Sequence, residues 1–260
     1  MSTETILEAR DLRKTYASHG GKRFVAVDGV SFSVQRGETL AIVGESGSGK
    51  TTVARIALRL IEPDSGALMF RGQDLLAARG EKLRQLRRGM QMVFQDPMAS
   101  LNPRMNVGAI VGEPLAIHEP RLSRAERSQR VSEILEAVGV TAAAQSRYPH
   151  EFSGGQRQRI GIARSLILRP ELLIADEPVS ALDVSVGAQV LELLAQLQQE
   201  FALTLILISH SLPVVAQLAS RVAVMKAGQI VESGDTQTIL EHPQNPYTQA
   251  LVAAVPEIPA

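Results

Sequence analysis

Thr39-Leu40-Ala41-Ile42-Val43-Gly44-Glu45-Ser46-Gly47-Ser48-Gly49-Lys50-Thr51-Thr52 is the stretch that decides the fold. Residues 39–43 are a short apolar run ending at a glycine, as expected of a strand buried on both faces. Residues 50–60 have a helical texture. Between the two stands G-x-x-x-x-G-K-[ST]. Its glycines let the backbone curl until consecutive N–H groups converge on phosphate oxygens. The loop opens a helix, whose free N–H groups and dipole favour an anion. Lys50 suits the β- and γ-phosphates and the Thr51 hydroxyl suits Mg²⁺, with Thr52 continuing the phosphate-binding run. Gly44, Glu45, Ser46, Gly47, Ser48, Gly49, Lys50, Thr51 and Thr52 therefore predict a nucleoside-triphosphate site. Base readers such as N-K-x-D are missing, which disfavours a GTPase.

Outward from this loop the chain has 260 residues, room for one large domain or two small ones at roughly 100–200 residues each. Apolar residues make up 45%, enough for a core. The 27 basic and 27 acidic residues cancel, so no global charge favours nucleic acid. Cysteine is absent, which excludes disulfides, thiolate metal sites and cysteine nucleophiles. Tryptophan is absent too, so base-stacking platforms are not expected. No apolar run approaches the roughly 18 residues that span a bilayer, and the polar N-terminus has no signal-peptide core. These features predict a cytosolic chain.

Residues 6–16 and 24–34 alternate apolar with polar and predict strands around the turn-like 18–21. After a turn at 63–66, residues 67–71 read as another strand. From about 97 to 169 the texture becomes helical. Ser123 and Glu126 form a capping-box pattern, and Val131, Ile134, Leu135 and Val138 recur at helical spacing. Buried strands at 172–175 and 203–208 flank a helix at 184–200 with Val186, Val190, Leu193, Leu194 and Leu197 on one stripe. That β-α-β alternation predicts a parallel sheet. A hairpin-like pair follows (222–225, 229–232), then a helix near 248–255.

Asp176 and Glu177 end the buried run Leu172-Leu173-Ile174-Ala175. Asp176 at the strand end suits Mg²⁺ through water. Glu177, one residue on, points away from Asp176 and suits a general base for an attacking water. Further upstream, Ser153-Gly154-Gly155-Gln156 opens an apparent helix, with Ser153 as N-cap and the two glycines exposing backbone N–H groups.

Ser153-Gly154-Gly155-Gln156, 23 residues before Asp176, resembles the signature motif of ABC (ATP-binding cassette) ATPases. The likeness extends over the whole chain. It implies an α/β fold: a P-loop NTPase (RecA-like) core with a mainly parallel sheet, an N-terminal antiparallel β-subdomain and an inserted helical subdomain at about 97–169. The chain 1–260 is then one ATPase domain, with a family-type tail at 235–260. The resemblance also implies that the signature of one subunit closes over the γ-phosphate held by another. Tyr16 fits the aromatic that stacks on adenine, and Gln95 the glutamine that touches Mg²⁺ and senses a membrane partner. Ser180-Ala181-Leu182-Asp183 fits the D-loop, which reaches across the dimer, and His210 the switch histidine on the γ-phosphate.

Three stretches resemble the ATPases of oligopeptide, dipeptide and nickel importers, and most closely the second (F-type) ATPase of dipeptide importers: 95–105, 175–185 and 242–251. This implies ATP and Mg²⁺ as ligands, two transmembrane permeases contacting the groove near Gln95 and 102–115, and a second ATPase subunit. It also implies, indirectly, an extracytoplasmic solute-binding protein, with the chain at the cytoplasmic face of the inner membrane. Nickel, glutathione or opine-like cargo stands as an alternative to peptides. A soluble ABC ATPase acting on nucleic acid or ribosomes is the competing class; the coiled-coil insertion, second cassette or zinc cysteines usual there are absent. Two departures stand out. The cysteine-held iron–sulfur site of some relatives has no counterpart here, and Ser211 follows His210 where the family usually has an acid.

Overall fold

The computed structural model describes residues 4–17, 23–96 and 100–254. The turn at 18–21, the start of the helical segment at Pro97 and the end of the tail beyond 254 lie outside them. The chain forms two compact units, residues 1–87 with 203–260, and residues 88–202.

In the first unit β1 (Thr5–Ala17) and β2 (Arg23–Gln35) pair antiparallel, and β1 also pairs with β4 (Ser65–Phe70), which pairs with β5 (Gln73–Asp74). The alternation in β1 is imperfect because its register slips between Thr5 and Leu7 and again between Ala9 and Leu12. Bulges of this kind let Ile6 and Leu7, neighbours in sequence, both be buried.

The same unit holds β3 (Thr39–Val43), buried at all five positions. It runs parallel to β8 (Thr204–Ser209) on one side and β9 (Arg221–Lys226) on the other, and β10 (Gln229–Asp235) closes the edge antiparallel to β9. α1 (Lys50–Ala57) leaves the phosphate loop and stops three residues short of the expected end. The physical reason is Arg59. It takes a left-handed backbone (φ 49°) and buries its guanidinium, donating to the Leu75 carbonyl at 2.7 Å and pairing with Glu62 at 2.8 Å. α2 (Gly80–Arg88), which the sequence did not announce, leads to the unit boundary.

In the second unit β6 (Met90–Val93) lies parallel to β7 (Leu172–Asp176). Around them stand α3 (Val107–His118), α4 (Arg124–Ala137), α5 (Gly154–Leu166) and α6 (Val184–Glu200). α5 is central: it packs on α3, α4, α6 and β6, and the Ser165 hydroxyl donates to the Met92 carbonyl at 2.7 Å. The expected capping box of α4 is present, with Ser123 and Glu126 each satisfying the other's backbone N–H. Val131, Ile134, Leu135 and Val138 are all buried. The first unit also holds α7 (Leu212–Leu218), α8 (Thr236–Glu241) and α9 (Pro246–Ala253).

Candidate functional site

Strand register brings the sequence motifs together within each unit. In the first, Val43 pairs with Ser209. One residue beyond that rung the chain enters the phosphate loop at Gly44 on one strand and reaches His210 on the other. In the second, Val93 pairs with Ala175. Two residues beyond lie Gln95 and Glu177. Both groups therefore stand at the carboxyl ends of parallel strands, where open α/β sheets bind ligands. A cavity of about 480 Å³ in the second unit, lined by Arg88, Glu119, Arg130, Arg169 and Glu200, opens instead beside the residues that precede β6 and β7.

The phosphate loop is held by main chain on every side. A Cβ on Gly44 would come 2.1 Å from the Met225 carbonyl oxygen, and one on Gly49 would come 2.1 Å from that of Ala26. Both glycines also have positive φ, 151° and 105°, and Gly49 is the N-cap of α1. The Ser48 carbonyl accepts from the Gly228 N–H at 2.9 Å, and the Gly228 carbonyl accepts from the Asp28 N–H at 2.8 Å. Lys50 is 5% exposed. Its ammonium donates to the carbonyls of Gly44 and Glu45, each at 2.8 Å, so it lies along the loop it serves. The loop thus offers a main-chain cradle with a buried ammonium, which fits a polyphosphate.

Tyr16 lies near the end of β1 opposite Phe24 and is exposed, with the Lys14 ammonium 5.8 Å from its ring centre. A half-exposed ring of that kind is available to stack on a base. His210 is exposed at the end of β8. The loop beyond it is tied by Ser209, whose hydroxyl accepts from the Ser211 N–H at 3.0 Å and donates to the Ser211 carbonyl at 3.3 Å. Ser211 thus contributes backbone where an acid would contribute charge.

In the second unit Asp176 is 3% exposed at the end of β7. Glu177 has a left-handed backbone, φ 46°, sparsely populated by residues other than glycine, and strain of this sort persists only where the surroundings over-determine it. The turn after it supplies the determination: the Glu177 carbonyl accepts from the Ser180 N–H at 3.2 Å and from the Ser180 hydroxyl at 3.0 Å. The Glu177 carboxylate accepts from the Gln95 amide at 2.9 Å. The same amide lies 3.5 Å from the Ser180 hydroxyl. The sequence had treated Gln95, Glu177 and Ser180 as separate motifs; the fold joins them in one cluster.

Ser153 caps α5 and forms a full capping box with Gln156: its hydroxyl accepts from the Gln156 N–H at 3.3 Å, and the Gln156 amide oxygen accepts from the Ser153 N–H at 3.0 Å. The two glycines differ. Gly154 is exposed, as anticipated. Gly155 is buried, and a Cβ there would come 2.4 Å from Cγ1 of Val186. Its small size serves close packing of α5 on α6 rather than exposure of an N–H. A Cβ on Gly154 would reach Leu182 at 3.4 Å, so the start of α5 lies against the turn at 180–183. Asp183 is the N-cap position of α6, and Ala181 is exposed.

Among the described residues no cluster of three or more His, Cys, Asp or Glu side chains forms a metal site. Asp176 and Gln95 in the second unit carry a carboxylate and an amide oxygen, and Thr51 in the first unit a hydroxyl, each by itself a hard oxygen donor. No helix of the described residues is long and apolar enough to cross a membrane.

Comparison with known proteins is consistent with this geometry. Residues 27–180 match the family model described as ABC transporter, and residues 231–260 match the C-terminal region of oligopeptide/dipeptide transporters. The chain is 53% identical to the oligopeptide transport ATP-binding protein AppF of Bacillus subtilis, over 97% of its own length and 79% of the relative's. It is 48% identical to OppF of Salmonella typhimurium (97% and 78%) and 48% identical to the di/tripeptide transport protein DppF of Pseudomonas aeruginosa (98% and 80%). Among solved structures it resembles the ATP-binding cassette MJ0796 in a dimeric post-hydrolysis state with ADP and phosphate, at a TM-score of 0.80 and 28% identity, over 89% of this chain and 99% of that one. The structure of cbiO1 from Clostridium perfringens, part of the ABC transporter complex cbiONQ, gives the same TM-score, 0.80, at 29% identity over 92% of each. The chain therefore belongs to the ABC transporter family and is one of its ATPase subunits.

Proposed function

We propose that this ATPase energises uptake of di- or oligopeptides. It works at the cytoplasmic face of the inner membrane, beneath two transmembrane permeases and paired with a second ATPase subunit. An extracytoplasmic solute-binding protein delivers the cargo. The observation that carries the reading is the match of residues 231–260 to the C-terminal region of oligopeptide/dipeptide transporters, a segment outside the general ATPase core. The peptide-transport names of relatives near half identical over almost the whole chain support it. The balanced charge supports it against nucleic-acid partners.

In this reading Tyr16 stacks on adenine, and the loop of residues 44–52 receives the phosphates. Lys50 turns from the loop carbonyls to the β- and γ-phosphates. Thr51, Gln95 and Asp176 hold Mg²⁺, which neutralises charge on the phosphate oxygens. Glu177 takes a proton from the attacking water, and its bond to Gln95 is the contact that must yield first. His210 holds the γ-phosphate from the switch. Ser153, Gly154, Gly155 and Gln156 close on the nucleotide of the partner ATPase, and Ser180, Ala181, Leu182 and Asp183 reach across to it. ATP favours the closed pair of ATPases, and the permeases follow by population shift; hydrolysis resets them.

The test is uptake of labelled di- and oligopeptides in the host lacking this chain. Uptake lost in the deletion, restored by the wild-type chain and not by Glu177→Gln supports the assignment. Peptide uptake unchanged by the deletion, with nickel or another small solute affected instead, moves the subunit to the alternative cargo.

A further inference from the structure

The C-terminal segment has so far served only as a family mark. Its geometry gives it a task. The Tyr247 hydroxyl on α9 accepts a hydrogen bond from the Glu45 N–H, the second residue of the phosphate loop, at 3.1 Å. The Lys226 ammonium at the end of β9 sits 4.5 Å from the centre of the same ring, a cation–π distance. The ring is thus fixed from one side while the hydroxyl reaches the loop. The segment itself is tied down by β10: the Glu232 carboxylate accepts from the N–H groups of Gln244 at 2.8 Å and Asn245 at 3.1 Å. Asn245 then caps α9, its side-chain oxygen accepting from the Tyr247 N–H at 2.9 Å. Pro246 at the first helical position fixes the entry of that helix.

We propose that Tyr247 is a positioning residue for the nucleotide site: it holds the front of the phosphate loop, at Glu45, in the conformation that receives phosphate. The rest of the loop is braced from within, by Lys50 on the carbonyls of Gly44 and Glu45 and by Gly228 on Ser48. The Glu45 N–H points outward to the tail. A loop that must be ordered before it can bind pays that ordering at each encounter with ligand, so a tie present beforehand tightens binding without touching the chemical step. The proposal deepens the ATPase reading and rests on it.

Tyr247→Phe is the deciding variant, because it keeps the ring beneath Lys226 and removes only the hydroxyl. On the intact chain the expected result is a rise of about two- to tenfold in the dissociation constant for MgATP, the range of one ordinary hydrogen bond. KM for ATP should rise in parallel, kcat should stay within about twofold, and the melting temperature should hold. Amide exchange should quicken at Glu45 and not in the core strand β3. Lys226→Met, which unseats the ring, should give a smaller change in the same direction. A Tyr247→Phe chain with wild-type MgATP affinity and unchanged exchange at Glu45 overturns the proposal. Absence of MgATP binding in the wild-type chain would instead overturn the ATPase reading beneath it.

Discussion

The phosphate loop and the Glu177 cluster are built on different principles. The loop is held by main chain against main chain: Gly44 and Gly49 leave no room for a Cβ beside the carbonyls of Met225 and Ala26, and Lys50 is buried along the loop. The Glu177 cluster is held by side chains at the surface. One amide of Gln95 and one hydroxyl of Ser180 restrain the carboxylate and its strained backbone. The first arrangement cannot relax without moving strands. The second changes with one rotamer. The candidate phosphate loop is thus preorganised, whereas the Glu177 carboxylate, proposed to activate water, accepts from a side chain that can change rotamer.

Breaking each region separately tests the contrast. The largest effect is expected from Glu177→Gln, with kcat falling by about 10²- to 10⁴-fold while MgATP affinity stays near wild type in steady-state and equilibrium measurements. Equal loss of affinity would join the two regions. Gly49→Ala should do the reverse: the Cβ meets a backbone oxygen and the φ of 105° is denied to alanine, so MgATP binding should be lost and the melting temperature should fall. Gly155→Ala should cost about 1–3 kcal/mol by overpacking against Val186, read by denaturant unfolding, and Val186→Ala should recover most of it. Gln95→Ala removes one hydrogen bond to the Glu177 carboxylate, and basal kcat should change by a few fold with KM for ATP unmoved. The smallest effect concerns pH. Burial pushes the Glu232 carboxyl up, but the hydrogen bonds from the Gln244 and Asn245 N–H groups help hold it below its ordinary value. Its contribution to docking the tail is therefore present above that ordinary value and lost as pH falls through the lowered one. The protection of the Gln244 and Asn245 amides, taken relative to their intrinsic exchange rate at each pH, should fall on acidification in the wild type and stay constant in Glu232→Gln.

Much of this was readable from local pattern. The buried strands at 39–43 and 172–175, the capping box at Ser123, the N-cap at Ser153 and helix 184–200 each follow from neighbours within a few residues. Other parts were not. β6 has only four residues, too few for a period to show, and α2 buries only Leu86 beneath a run of charge. Gly155 read as an exposed glycine because nothing local announces Val186, 31 positions on. The tie from Tyr247 to Glu45 spans 202 positions, and no local rule connects them.

The sequence by itself determined the family and the candidates for the phosphate loop, the acidic pair and the histidine after β8, because each depends on residue types at short spacing. Only the tertiary structure decided that Gln95 restrains Glu177, that Gly155 is a packing glycine and that the tail grips the phosphate loop. The reason is physical: strand register and helix packing bring together groups whose separation along the chain leaves no periodic trace, and a hydrogen bond depends on distance in space alone.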